Sequence, residues 1–359
     1  MLFSPLTLGE LELPNRLVMA PLTRLRSGEA GVPAPVVAEH YRQRASLGLI
    51  VSEGTYPSPA GRSYPGQPGI VTPEQIAGWK TVTDAVHAEG GRIFAQIMHG
   101  GRVSHEDING GHQVVAPSAI AVEAESRTYK GKQPHPVPHA LTTAELPGVL
   151  QEIVQGSLNA IEAGFDGVEL HSANGYLLHE FLAPSSNQRD DIYGGSPENR
   201  ARFVIEVVQA VVAAIGADRV GIRISPEHNV QGALETDAAD VRATYSRLVD
   251  AISPLNLAYL SILHKEPAGD LVQYLRSRFN GPFLVNTGFG VITTREEAIA
   301  LVADGHADAV VVGRPAIANP DLVRRWREDL PVNEPNQATF YADGAEGYTD
   351  YPFYEESAN

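Results

Sequence analysis

Three side chains that could take part in chemistry lie close together in the segment from His171 to Tyr176. His171 and Asn174 can both donate hydrogen bonds, and a helical turn after the preceding strand would place them on one face. Two donors that converge on one point could polarise a carbonyl or nitro oxygen, and the Tyr176 phenol could then deliver a proton. Each residue taken singly is more often structural, so the assignment depends on the rest of the chain.

A phosphate could bind where two glycine-containing segments occur late in the chain, at 288–290 and at Gly313-Arg314. Glycine allows backbone N–H groups to approach a phosphate closely, and an arginine can donate two parallel hydrogen bonds to its oxygens. The alternative is that the glycines form tight turns and that Arg314 is a surface charge. A dinucleotide-binding fingerprint is not expected, because Thr293 stands where its third glycine belongs.

Arg223 is an unusual residue because it interrupts an apolar run between Ile222 and Ile224. A guanidinium in such a run cannot stay buried without hydrogen-bond acceptors. One candidate partner is the carboxylate of Glu169. The other is an electron-rich ring that gains negative charge on reduction, as a flavin does.

Several classes of site are not expected from the composition. The chain has no cysteine, which excludes disulfides, thiolate catalysis and sulfur-ligated metal sites. The histidines of the segment 100–141 and His99 lack the two-histidine helical spacing of a metal site, so no metal is predicted. No lysine falls within a predicted strand, which disfavours a Schiff-base aldolase.

The charge and the hydropathy pattern limit partners and location. The formal net charge of −16 argues against nucleic acid or an anionic membrane surface as a partner. No apolar run could span a bilayer, and the first residues lack the pattern of a signal peptide. We therefore expect a cytoplasmic protein, either a monomer or a homodimer.

The elements that must position these residues alternate regularly. Eight short runs rich in Val, Ile or Leu are typical of strands buried on both faces, and they span 16–21, 49–55, 92–99, 166–172, 220–226, 258–264, 282–288 and 308–314. Helix start signals lie between them at Thr72-Pro73-Glu74-Gln75, Thr142 with Glu145, Ser196-Pro197, Thr293 with Glu296, and Asn319-Pro320. Left-handed helix ends are predicted at Gly48, Gly90, Gly164, Gly216, Gly281 and Gly305.

Eight strand and helix units in sequence favour an α/β fold, a single-domain (β/α)8 TIM barrel over residues 1–359, rather than a doubly wound open sheet. Three segments lie outside the alternation. Residues 1–15 are expected to plug the bottom of the barrel, and residues 100–141 to form a lid excursion after the third strand. Residues 331–359 form a C-terminal extension that is expected to contribute to the active site.

Longer stretches of the sequence closely resemble the old yellow enzyme family of flavin-dependent ene-reductases. They are the stretch from Asn15 to Arg24, EHYRQRASLG ending at Gly48, HSANGYLLHEFL from His171, SSNQRDDIYGGSPENR ending at Arg200, Gly313-Arg314 with Ala318 to Leu322, and GAEGYTDYP ending at Pro352. The resemblance implies non-covalent FMN on the barrel and a ping-pong cycle. In that cycle NADPH or NADH reduces the flavin, which then passes hydride to an activated alkene while Tyr176 supplies the proton.

The resemblance also implies roles for individual residues. The cofactor-binding set is Pro21, Leu22, Thr23, Gly54, Gln96, Arg223, Gly288, Phe289, Gly313 and Arg314. The catalytic residues are Tyr176, His171 and Asn174, and these three also bind substrate or phenolic ligands together with Tyr64, Met98 and Tyr341.

Some positions depart from the pattern of the family. Met98 stands where many relatives carry tryptophan, which predicts a wider substrate pocket. Gly54 replaces a more usual alanine and is expected to loosen the backbone under the flavin.

Two other functions stay open: a 2-hydroxy-acid oxidase in which His171 acts as a base, and a non-catalytic flavin-binding barrel.

Overall fold

Eight parallel strands close into a barrel in the computed structural model, which describes residues 1–355. The strands in chain order are β1 (Leu6–Leu8), β2 (Leu11–Leu13), β3 (Leu17–Met19), β4 (Leu49–Val51), β5 (Ile93–Ile97), β6 (Val115–Ala116), β7 (Glu125–Thr128), β8 (Gly131–Pro134), β9 (His139–Ala140), β10 (Gly167–Ser172), β11 (Val220–Ile224), β12 (Tyr259–Leu263), β13 (Phe283–Asn286) and β14 (Ala309–Val312). The barrel runs β3-β4-β5-β10-β11-β12-β13-β14 and returns to β3. Each predicted run contains one barrel strand, so the predicted barrel is confirmed and the open sheet is wrong.

Helices connect these strands on the outside of the barrel. They are α1 (Pro35–Gln43), α2 (Pro73–Ala88), α3 (Leu146–Glu162), α4 (Leu177–Leu182), α5 (Pro197–Ile215), α6 (Ala238–Ile252), α7 (Asp270–Arg278), α8 (Arg295–Ala303), α9 (Arg314–Ala318) and α10 (Leu322–Glu328). The predicted start of α2 is confirmed, because Thr72 and Gln75 form a reciprocal capping box. Ser196 caps α5 as predicted.

Three predicted helix starts are displaced. Glu145 precedes α3, and its carboxylate accepts hydrogen bonds from Thr142 rather than completing a capping box. Helix α8 is capped by Thr294 instead of Thr293, since adjacent threonines offer the same chemistry. Asp321 precedes α10, two residues after the predicted Asn319.

The glycines at the helix ends fall into two groups. A positive φ confirms the prediction at Gly90, Gly164, Gly216 and Gly305. Gly48 and Gly281 lack a positive φ, so the prediction is wrong there. An added Cβ at Gly48 would lie only 2.1 Å from the Asn15 carbonyl oxygen, and one at Gly281 would lie 2.9 Å from the Phe279 ring. Close packing therefore requires glycine at both positions.

The β1–β2 hairpin packs against the lower interior of the barrel. Leu8 and Leu13 are buried in one cluster with inward-facing strand residues, which include Val18, Leu49, Val51, Phe94, Tyr259, Leu284, Ala309 and Val311. A larger apolar cluster fills the layer between the strands and the surrounding helices. The barrel is thus packed solid at its lower end, and chemistry is confined to its carboxyl end.

The excursion 100–141 lies over the carboxyl end of the barrel. It contains an antiparallel β7–β8 hairpin and a short parallel β6–β9 pair. Val103 and Val122 from this segment pack against Met98 and Tyr176. None of the helices within the described residues is long and apolar enough to cross a membrane.

The C-terminal extension is held by two arginines that follow β3. Arg24 donates hydrogen bonds to the carbonyl oxygens of Phe340 and Gly347. The Arg26 guanidinium donates to the carbonyl oxygens of Thr339, Phe340, Gly344 and Glu346. Residues 356–359 of the predicted extension lie outside the described residues.

Removal of the Leu13 side chain tests the packing of the hairpin. We expect Leu13→Ala to lower the free energy of unfolding by about 2–5 kcal/mol, because a buried leucine leaves a cavity. Glu12→Ala on the exposed side of the same hairpin is the control and should change it by less than about 0.5 kcal/mol. Urea unfolding measures both values, and equal small effects would show that the hairpin does not contribute to the core.

Candidate active site

His171 lies on β10 at the carboxyl end of the barrel and is buried. Its Nδ1 is 3.2 Å from the amide nitrogen of Gln96, which is a donor only. The ring must therefore accept at Nδ1 and, when neutral, carry its proton on Nε2. Burial lowers the pKa of His171 well below its ordinary value, and the neighbouring cation of Arg223 lowers it further. His171 is thus a neutral hydrogen-bond donor through Nε2.

Asn174 follows β10 in a left-handed conformation, with a φ of 58°. The helical turn predicted between His171 and Asn174 is therefore wrong, since α4 begins only at Leu177. Ser225 Oγ accepts from the Asn174 backbone N–H at 2.8 Å, and Gln231 donates to the Asn174 carbonyl at 2.7 Å. The side-chain Oδ1 of Asn174 is buried without a hydrogen-bond partner among residues 1–355.

Tyr176 is buried beside His171, and the two ring centroids are 5.2 Å apart. Its hydroxyl lies 2.7 Å from the hydroxyl of Tyr64. Burial raises the pKa of Tyr176, so the phenol is protonated at neutral pH. A neutral donor and a protonated phenol thus lie side by side at one strand end.

Met98 packs beneath this group, at 2% exposure. A Cβ added at Gly54 would lie 2.5 Å from the Met98 sulfur, so Gly54 makes room for this side chain. The φ of Gly54 is not positive, so its close contact with Met98, rather than a left-handed conformation, is what favours glycine here.

A cavity opens where β13 and β14 end, next to the segment after β3. Its lining includes seven of the ten predicted cofactor-binding residues, namely Pro21, Leu22, Arg223, Gly288, Phe289, Gly313 and Arg314. Arg314 donates a 2.5 Å hydrogen bond to the Phe289 carbonyl across this cavity. Thr23, Gly54 and Gln96 are not among the lining residues.

Arg223 projects into this cavity and is nearly fully buried. Its Nη2 donates to Asn286 Oδ1 at 3.1 Å, while its Nε and Nη1 have no partner among residues 1–355. Glu169, one of the two candidate partners, forms no ion pair with Arg223 among the described residues; its oxygens accept from Gln96 and Tyr259, and its charge still acts on Arg223. Two buried, unsatisfied N–H groups fit an electron-rich group bound in the cavity.

The remaining predicted site residues lie at the edge of the site. Thr23 is partly exposed. The segment that contains it is held by Glu53, whose Oε2 accepts from the backbone N–H groups of Arg24 and Leu25 at 3.0 Å each. Tyr341 is 55% exposed but close enough to influence the pKa of Tyr176 and that of Tyr64. Thr23 and Tyr341 are therefore more exposed than the buried residues of the segment 171–176.

Gln231 is a site residue that the sequence analysis missed. Its side chain donates to the Asn174 carbonyl and lies close enough to Tyr176 to lower the pKa of the phenol. The available signal was its position in a segment directly after the barrel strand β11. Within the described part of the chain, no group of three His, Asp or Glu side chains is arranged to hold a metal ion.

Arg102, in the excursion 100–141, contacts the loop after β11 that contains Gln231. Its backbone N–H donates to Glu180 Oε1 at 2.9 Å, and its guanidinium donates to the carbonyl oxygens of Ile120 and Gln231. Burial raises the pKa of Glu180 to about 8, although the Arg102 charge acts in the opposite direction. This buried pair holds the elements that carry Tyr176 and Gln231.

Comparison with known proteins gives consistent matches over the whole barrel. The model of the NADH:flavin oxidoreductase / NADH oxidase family matches residues 1–333. A probable flavin mononucleotide-dependent alkene reductase of Leishmania infantum is 42% identical, over 98% of this chain and 97% of that protein. The 12-oxophytodienoate reductase 1 of Oryza sativa subsp. japonica is 42% identical, over 99% of this chain and 93% of that protein.

Solved structures match equally well. The old yellow enzyme homologue from Zymomonas mobilis has a TM-score of 0.92 and 40% identity, covering 98% of this chain and 99% of that one. Morphinone reductase in complex with tetrahydroNAD has a TM-score of 0.92 and 44% identity, covering 100% of this chain and 99% of that one.

The buried carboxyl of Glu180 should make stability depend on pH. Folding raises its pKa to about 8, from about 4.3 in an unfolded chain. Between these values the unfolded state releases the proton first, so stability falls as pH rises. We expect the free energy of unfolding to drop relative to Glu180→Gln by up to about 1.4 kcal/mol per pH unit from about pH 5 to about pH 8.

Urea unfolding of both proteins at several pH values measures this difference. Glu162→Gln, at an exposed position on α3, controls for the loss of one carboxylate. A constant difference between wild type and Glu180→Gln across that pH range would contradict the raised pKa.

Proposed function

The chain belongs to the NADH:flavin oxidoreductase / NADH oxidase family, and from this premise we propose that it reduces the activated C=C bond of α,β-unsaturated carbonyl or nitro compounds. It is an FMN-dependent alkene reductase of the old yellow enzyme type that takes its electrons from NADH or NADPH. The proposal for the substrate depends on one observation. The rings of a neutral His171 and a protonated Tyr176, with centroids 5.2 Å apart, lie beside the cavity that contains Arg223.

The cavity residues fit FMN. Gly313 and Arg314 would hold the phosphate, while the unsatisfied N–H groups of Arg223 would face the electron-rich edge of the ring. Bound FMN supplies hydride transfer, from the nicotinamide to the flavin and then to the substrate, in a ping-pong cycle. Thr23, Gln96 and Gly54 are proposed as further contacts to FMN, although they do not line this cavity.

His171 and Asn174 would bind the oxygen of the substrate. The proton on His171 Nε2 has no protein partner among the described residues. Asn174 would donate through its Nδ2 amide nitrogen, since its unsatisfied Oδ1 can only accept. Two neutral donors stabilise the negative charge that develops on a carbonyl or nitro oxygen when a hydride reaches the alkene. The same pair would bind a phenolic ligand through its oxygen.

Tyr176 would donate the proton that completes the reduction. Its raised pKa keeps the phenol protonated at neutral pH, and it adjoins the donor pair through His171. An oxidase that uses His171 as a base is disfavoured, because burial and the Arg223 charge lower the pKa of that imidazole and weaken it as a base. Tyr64, Met98 and Tyr341 are proposed to shape the substrate side.

Separate measurement of the two half-reactions tests the proposed function. Wild-type protein should be yellow, bleach anaerobically with NADPH or NADH, and recover its colour with cyclohexenone. We expect Tyr176→Phe to leave the bleaching rate nearly unchanged and to slow the recovery by about 100-fold or more, because only the recovery needs the proton.

Stopped-flow absorbance measures both rates. Tyr193→Phe is the control, because that hydroxyl contacts Glu206 on α5 outside the site. Equal slowing of both half-reactions by Tyr176→Phe would contradict the role of proton donor, and a colourless protein would contradict the function as a whole.

A further inference from the structure

The hydroxyls of Tyr64 and Tyr176 share a direct hydrogen bond of 2.7 Å. Their rings meet edge to face, with centroids 6.5 Å apart. Tyr176 is only 8% exposed, whereas Tyr64 is partly exposed. Tyr64 therefore stands between the buried phenol and the open side of the site.

The position of Tyr64 is fixed by Gln67. The side-chain oxygen of Gln67 accepts from the backbone N–H groups of Ser63 at 2.8 Å and Tyr64 at 3.3 Å. The amide of Gln67 in turn donates to the Gly54 carbonyl at 2.9 Å. This buried glutamine connects Tyr64 to the end of β4, so the phenol is held by the barrel rather than by a free loop.

The environment of Tyr176 leaves few routes for a proton. Met98, Val103 and Val122 pack around it and offer no titratable group. The titratable side chains that face it are Tyr64, His171 and Tyr341. Within residues 1–355, its hydroxyl forms a side-chain hydrogen bond to Tyr64, and the neighbouring Gln231 is a neutral amide that cannot supply a proton. A phenol that has lost its proton there can be reprotonated through Tyr64.

We propose that Tyr64 is the positioning and relay residue for Tyr176: it donates its hydroxyl proton to the Tyr176 oxygen, which leaves the Tyr176 O–H directed at the substrate. This inference rests on the proposed function. When the Tyr176 O–H bond breaks and the substrate C–H bond forms, the Tyr64 proton moves to Tyr176. Water then returns one proton to Tyr64, so the protons balance and no further electron transfer is needed.

The pKa shifts of the two phenols agree with a hydrogen bond that Tyr64 donates to Tyr176. Burial raises the pKa of both phenols, but their shared hydrogen bond lowers the pKa of Tyr176 and raises that of Tyr64. The Gln231 side chain also lowers the pKa of Tyr176. Tyr176 is thus the member that releases its proton more easily, because two donors stabilise its phenolate.

The test combines Tyr64→Phe, Tyr176→Phe and the double variant. Tyr64→Phe should slow the recovery of colour with cyclohexenone by about tenfold and slow the bleaching by NADPH much less. In the Tyr176→Phe background it should slow recovery no further, because Tyr64 acts through Tyr176. NMR titration of isotope-labelled tyrosine should show the pKa of Tyr176 higher by about one unit in Tyr64→Phe.

Tyr193→Phe serves as the matched control in both measurements, and thermal unfolding verifies that each variant is folded. Additive slowing in the double variant, or an unchanged pKa of Tyr176, would overturn the proposal. If Tyr176→Phe itself left recovery unchanged, the proton-donor role in the proposed function would fail and the relay with it. The titration would still decide separately whether Tyr64 donates to Tyr176.

Discussion

A guanidinium buried at the carboxyl end of a parallel barrel is the constraint on which the rest of the site depends. Arg223 is 3% exposed and, among residues 1–355, has a single hydrogen-bond acceptor, Asn286, on the next strand but one. The neighbouring carboxyl of Glu169 accepts hydrogen bonds from other donors and acts on Arg223 only through its charge. The Arg223 cation helps to keep His171 neutral. It also leaves a cavity whose electrostatics favour a group that becomes negative on reduction.

The loop after β11 carries strain that the surrounding structure compensates. Glu227, Asn229 and Gln231 all adopt left-handed conformations, with φ between 52° and 60°, and such conformations persist only where other contacts enforce them. The buried carboxylate of Glu235 accepts from the Glu227 backbone N–H and from the Tyr245 hydroxyl. These hydrogen bonds hold the loop in a conformation in which Gln231 contacts Asn174, one of the residues proposed to bind the substrate.

The barrel could be predicted from the sequence because each strand is a short apolar run with local helix signals on either side. The cavity glycines, Arg223 and Arg314 could be predicted because a parallel barrel brings every strand end to one face. The roles of Pro21, Leu22 and Phe289 came from the family resemblance. The conformation of Asn174 could not, since it depends on Ser225 and Gln231, which arrive from another strand. The packing of Met98 over Gly54 is likewise a tertiary contact that no local pattern carries.

The most direct test of the central claim is the reduction potential of bound FMN, measured by equilibrium redox titration, in wild type, Arg223→Lys and Arg223→Met. Loss of the cation should destabilise the reduced, electron-rich flavin. We therefore expect Arg223→Met to lower the potential by roughly 30 mV or more, while Arg223→Lys, which retains the charge, lowers it less. An unchanged or raised potential in Arg223→Met would contradict the account.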